Sequence, residues 1–164
     1  MFRRLFKYIK GDNSEQKKIK MTVPVTVTNW YNITDHKTAS SMAFWLHGKC
    51  SKDNSTCAPE PNDPKVEVLA TPKMCFYVRS FGGWASGRSW NFYKQLWYLS
   101  RDLKRDGKHY HQGLSFFNGY DSPWKLFYRH NEAMRLVKCE GNENDCDVSE
   151  DDTDDGNTWD NVVA

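Results

Sequence analysis

The chain has 164 residues, of which 38% are hydrophobic and 15% aromatic, and its 23 basic and 21 acidic side chains leave a net charge of +2. That length suits one domain with a real core and excludes two comfortable ones, and no stretch approaches the ~20 apolar residues of a membrane-spanning helix. The small net charge hides an asymmetry: all 23 Lys and Arg precede Cys139, whereas 10 of the 21 acids follow it. Residues 1–139 are therefore read as the folded, basic body. Residues 140–164 are read as an acidic tail, too polar to bury itself and so predicted to be disordered. With 7 Trp, 8 Tyr and 9 Phe, much of the buried area must come from rings, which build thick cores or pockets for flat ligands.

In chain order, Phe2, Leu5, Phe6 and Ile9 recur at helical spacing through Met1–Lys10, and Gly11 is placed as a stop. Ile19, Met21, Val23, Val25 and Val27 then alternate with polar residues, the period of a half-buried strand, with Pro24 marking an edge or a bulge. A second strand is predicted over Ser41–Leu46, and the segment Gly48–Pro64 reads as a loop. Lys65–Ala70 and Met74–Phe81 alternate again and predict two more strands separated by Pro72. From Ser86 to Arg105 the apolar residues Phe92, Leu96, Leu99 and Leu103 fall on one helical stripe, ended by Gly107. Leu114–Asn118, Trp124–Arg129 and Glu132–Lys138 predict three last strands, the final two joined across His130-Asn131 as a tight hairpin. Helix, four strands, helix, three strands is an α+β order with an antiparallel sheet, and it suggests a repeated unit of a helix followed by strands.

Five cysteines include two pairs of equal spacing, Cys50 with Cys57 and Cys139 with Cys146, each closing a loop rich in Asn, Asp and Ser. The pattern suits two local disulfides better than metal binding, because neither loop brings a second pair at finger-like spacing. Cys75, alone in an apolar run, reads as a buried thiol. Disulfides imply an oxidising compartment, and the sequons Asn32-Ile33-Thr34 and Asn54-Ser55-Thr56 fit it, though chance alone supplies as many. Met1–Gly11 holds no signal-peptide core, so either the protein is cytoplasmic or a signal peptide lies upstream of this sequence; the second is the expectation, with an extracellular, secreted protein as its consequence.

Four segments carry a more specific message. Met21-Thr22-Val23-Pro24-Val25, Tyr77-Val78-Arg79-Ser80-Phe81-Gly82-Gly83-Trp84, Gly119-Tyr120-Asp121-Ser122-Pro123-Trp124-Lys125 and Arg129-His130-Asn131-Glu132 resemble, in order and spacing, elements of the SOUL/heme-binding family. The resemblance spans residues 2–138. It implies a distorted antiparallel β-barrel with two flanking helices, built from two similar halves, that binds heme or a related tetrapyrrole without catalysing a reaction. It also places one family strand and the start of the first helix before Met1, so the chain is expected to be N-terminally incomplete.

Heme offers a broad apolar disc and two carboxylates, so a site needs an apolar wall and cations at one rim. The first helix is expected to supply the wall from Phe2, Leu5, Phe6 and Ile9. The resemblance assigns Lys7 and Lys125 to the propionates. No firm axial ligand is predicted; His109 and His111, two apart on an extended segment, are the candidates for iron or a divalent metal, in a polar linker where solvent-facing histidines are common. The chain holds no nucleophile elbow, HExxH or phosphate loop, and its body carboxylates are scattered. The alternative reading is a protein-interaction module that uses the basic body or the Phe92–Leu103 helix, with heme incidental. Nucleic-acid binding fits less well, because the basic residues do not gather in one segment.

Overall fold

Ser89 decides where the longer helix starts. Its backbone is extended, its hydroxyl oxygen accepts the Phe92 N–H at 3.2 Å, and the helix runs Trp90–Arg105. The stripe Phe92, Leu96, Leu99 and Leu103 is buried as its spacing predicts, and Lys104 and Arg105 occupy the last turn, where cations favour the helix dipole. In the computed structural model, residues 1–32, 34–46, 58–71, 74–122, 124–138 and 160–163 are described. Their elements are α1 (Phe2–Ile9), β1 (Val25–Tyr31), β2 (Thr38–Leu46), β3 (Glu67–Ala70), β4 (Phe76–Phe81), α2 (Trp90–Arg105), β5 (Leu114–Gly119), β6 (Asn131–Leu136) and β7 (Asp160–Val163). The fold class is α+β, with two helices and mostly antiparallel strands.

The chain divides into two compact units. The first contains α1, the Ser41–Leu46 part of β2, β3 and β7. In it β7 lies between β2 and β3, antiparallel to both, with Phe44 and Val68 each opposite Val162. Leu5, Tyr8 and Ile9 of α1 join Phe44, Leu46, Ala58 and Val66 in its core. β7 falls in the acidic tail, where the sequence predicts disorder; four residues are too few for a periodic signal, and residues 140–159 and 164 lie outside the described residues.

The second unit contains β1 from Thr26 on, the Thr38–Ser40 start of β2, β4, α2, β5 and β6, with strand order β1-β5-β6-β4. β6 pairs antiparallel with both β4 and β5, with Val78 and Phe116 each opposite Met134, and α2 packs on β6 and β4. Its core is aromatic: Phe92 meets Phe117 edge-on at 5.6 Å, and Phe76 meets Phe116 at 4.8 Å. Among the described strands β3 pairs only with β7 and β4 only with β6, so closure into a barrel is not seen among them.

One expected strand starts later than its alternation suggests and another is absent, for physical reasons. Residues 19–24 are not part of β1, because the Ile19 N–H is taken by the Ile9 carbonyl at 2.8 Å and Pro24 has no N–H to offer a ladder. Residues 124–129 form a loop instead of a strand. The Arg129 guanidinium donates to the Lys125 carbonyl within that segment at 2.7 Å and to those of Ser122 at 2.8 Å and Asp121 at 3.2 Å just before it. The apolar alternation there belongs to exposed side chains, with Trp124 at 89% and Tyr128 at 96% exposure. β5 and β6 therefore pair directly, Gly119 opposite Asn131, with residues 120–130 as their connection in place of the expected tight hairpin.

Candidate functional site

Helix α1 has two unlike faces. Leu5, Tyr8 and Ile9 are 0%, 1% and 2% exposed and fix the helix to its unit's core, with the Tyr8 hydroxyl donating to the Pro59 carbonyl at 2.8 Å. Phe2 and Phe6, one turn apart, project on another face and stack at 5.8 Å with an interplanar angle of 17°. Phe2 rests its edge on Phe44 at 5.5 Å, yet Phe2 and Phe6 remain 40% and 39% exposed. A cation borders this pair: the Lys10 ammonium lies 5.3 Å from the Phe6 ring centre, and Arg3 and Lys7 are exposed on the same helix. Arg4 is turned away into an ion pair with Asp63 at 3.4 Å.

Of the expected wall, Phe2 and Phe6 thus offer ring surface, whereas Leu5 and Ile9 are core residues with no face left for a ligand. The helical period places all four on one broad stripe and cannot say which edge of it the sheet covers. Lys125 belongs to the second unit, in the 120–130 loop, where its ammonium pairs with Asp121 at 2.5 Å. Lys125 and the His130 N–H together hold the Asp121 carboxyl below the usual carboxylate range.

His109 and His111 flank Tyr110 on an extended segment beside β6, the His111 N–H donating to Leu136 at 3.0 Å and the His109 carbonyl accepting from Lys138 at 3.1 Å. Among the described residues no group of three His, Cys, Asp or Glu side chains is placed to hold a metal. Cys50, Cys57, Cys139 and Cys146 lie outside the described residues, and Cys75 is half-buried. No described helix is long and apolar enough to cross a membrane.

Sequence reasoning missed a cleft of about 570 Å³ in the second unit, lined by Arg88 and Arg135 with Trp30, Tyr31 and Tyr93. The one signal for it was Arg135, a charge standing inside the apolar run Ala133–Val137.

An α+β domain with a firmly seated helix that presents stacked rings beside cations has the surface chemistry of a receptor for flat, anionic small molecules. Residues 1–136 match the family described as SOUL heme-binding protein, and the chain belongs to that family. It is 30% identical over 139 residues to "Heme-binding protein 2" of Mus musculus and 32% identical to that of Homo sapiens, matches that cover 85% of this chain and 65% of each relative. "Heme-binding protein 1" of Mus musculus is 26% identical over 82% of this chain and 68% of its own length. The chain thus spans 65% of the length of the first two relatives.

Proposed function

We propose that this protein binds heme or a related tetrapyrrole on the outer face of α1, as a non-enzymatic carrier, buffer or signalling receptor. The observation that carries this reading is the stacked and exposed Phe2–Phe6 pair with the Lys10 ammonium over the Phe6 ring, on a helix that also exposes Lys7 and that Leu5, Tyr8 and Ile9 hold in place. A macrocycle laid on the two rings removes apolar surface from water at roughly 25 cal/mol per Å², and cations at the edge pair its carboxylates. Both effects operate without an axial ligand, so binding of this kind is open to iron-free porphyrins as well. The site in this reading rests on α1 alone; Lys125, in the second unit, is held by Asp121. The barrel of two similar halves is part of the same proposal, supported by family membership and by the presence of one helix with its own strands in each unit. The two equally spaced cysteine pairs support an oxidising, extracellular setting.

Hemin titration followed in the Soret band tests the reading. A saturable shift at micromolar protein is expected, weakened about tenfold by Lys7→Glu through loss and reversal of one charge-assisted contact. The absence of any shift overturns it.

A second reading rests on α2. Trp90 and Trp97, two turns apart on its outer face, are 81% and 59% exposed, and Arg101 lies 5.3 Å from the Trp97 ring. Large exposed rings beside Arg are the composition of a protein-docking face. Capture of a protein partner that hemin does not affect, and that Trp90→Ser with Trp97→Ser abolishes, supports this alternative.

A further inference from the structure

The cleft of about 570 Å³ in the second unit is bounded by the end of β1, the start of β2, α2 and the adjoining ends of β5 and β6. Two guanidinium groups line it, and among the described residues neither has a carboxylate partner. Arg135 is anchored in place: its Nη1 donates to the carbonyls of Gln112 and Leu114, both at 2.9 Å, its Nε to the Ser100 hydroxyl at 3.1 Å, and its guanidinium lies 5.3 Å from the Tyr110 ring centre. Its Nη2 donates to no described acceptor, and burial lowers its pKa, with Tyr110 opposing the shift. Arg88 makes one described contact, a 3.3 Å bond from its Nη2 to the Ser40 hydroxyl. A half-buried cation without a counter-ion is costly unless an anion meets it, and a guanidinium presents its free N–H groups as a planar fork suited to a carboxylate.

The rest of the cleft is built to hold that geometry. Asn29 accepts from Ser40 at 2.7 Å and donates to the Gly87 carbonyl at 2.8 Å, so β1, β2 and the turn that carries Arg88 are tied at one point. Gly87 sits so close to Val27 that a Cβ there would lie 2.6 Å from the valine methyl, and Gly113 so close to the Tyr31 carbonyl that a Cβ would lie at 2.7 Å. The walls between the two arginines are flat rings, Trp30, Tyr31 and Tyr93, each 43% to 45% exposed. The Tyr31 ring is steadied by a 2.7 Å hydrogen bond between its hydroxyl and His36 Nδ1.

From this arrangement we propose that the cleft is a binding site, separate from α1, for a flat aromatic ring that carries a carboxylate: Arg88 and Arg135 receive the acid group while Trp30, Tyr31 and Tyr93 receive the ring. Two sources share that chemistry, a free aromatic acid and the propionate-bearing edge of a tetrapyrrole. The volume lies within the range of small-ligand pockets.

Calorimetric titration of the full chain with 2-naphthoate tests the proposal, with 2-naphthamide as the uncharged control. Saturable one-to-one binding of the acid is expected, with the amide at least about tenfold weaker, and Arg88→Gln weakening the acid about tenfold with an unchanged melting temperature, as the loss of one charge-assisted hydrogen bond implies. Tyr93→Ala, a second variant away from the charges, should weaken acid and amide alike. Equal affinity for acid and amide, no binding of either, or an Arg88→Gln protein that binds as the parent does overturns the proposal. Hemin then separates the sources: displacement of 2-naphthoate by hemin assigns the cleft to the tetrapyrrole edge, and simultaneous binding assigns it to a free acid. Lys7→Glu should leave 2-naphthoate binding intact, so failure of the α1 site and failure of the cleft read out separately.

Discussion

Tyr8 and Pro59 are joined by a buried hydrogen bond, phenol to carbonyl at 2.8 Å, that ties α1 to the segment before β3. Tyr8→Phe is expected to cost about 1 kcal/mol, because the Pro59 carbonyl loses its partner in a buried setting. Burial, with the nearby Glu15 charge adding to it, pushes the Tyr8 pKa from 10 up to about 12. The folded-state pKa is the higher one, so above pH 10 the unfolded chain releases this proton first, and stability that is complete below pH 10 falls until about pH 12. Denaturant unfolding at stepped alkaline pH should show a smaller loss for Tyr8→Phe than for the parent. Tyr120, raised to about 12 by burial and its bond to Glu132, accounts for part of the remaining loss.

Asn13 is 1% exposed and closes the turn after α1, donating to the Tyr8 carbonyl at 3.0 Å and the Lys17 carbonyl at 2.8 Å while accepting the Lys17 N–H at 2.9 Å. Asn13→Ala should destabilise by about 2–3 kcal/mol, since several buried groups lose partners at once. Asn13→Asp sets a carboxylate oxygen against two carbonyls, which favours the protonated acid in the fold. Its deficit should therefore shrink as pH falls toward about 4, the unfolded value, and stay small below it, and thermal unfolding in acid and at neutral pH reads this directly.

Gly87→Ala should destabilise by about 1–3 kcal/mol through overpacking against Val27. Val27→Ala in the same chain removes the crowded methyls and should restore part of the loss, a coupling that a double-mutant cycle of melting temperatures measures. Gly113→Ala meets a backbone carbonyl, Tyr31 O, so no side-chain substitution at position 31 should rescue it.

The two faces of α1 should separate in their effects. Leu5→Ala empties a fully buried position and is expected to cost about 2–5 kcal/mol, whereas Phe6→Ser, on a ring 39% exposed, should cost well under that. Chemical denaturation of the two variants side by side gives the comparison.

Both helices were legible because their apolar stripes are long and meet the core: Leu5 with Ile9, and Phe92 through Leu103, are buried where the 3.6-residue period puts them. Strands β2 to β6 were found within a few residues for the same reason at period two. The errors share a cause. Between Ile19 and Pro24, and again between Trp124 and Arg129, the alternation is present but the backbone hydrogen bonds are spent on Ile9 and on the Arg129 side chain, and periodicity carries no information about where backbone groups are satisfied. The site was legible in part. Position along α1 identified Phe2 and Phe6, but the division between an outward pair and a buried pair depends on the sheet beneath, and the Arg88–Arg135 cleft unites residues far apart in the chain.

The central claim is that the exposed rings of α1 receive a tetrapyrrole, and the direct measurement is hemin affinity of Phe2→Ser with Phe6→Ser against the parent and against Trp90→Ser with Trp97→Ser on α2. A loss of about tenfold or more, confined to the α1 double variant and without a matching fall in melting temperature, is the expected result. Equal hemin affinity in the parent and the α1 variant contradicts the account.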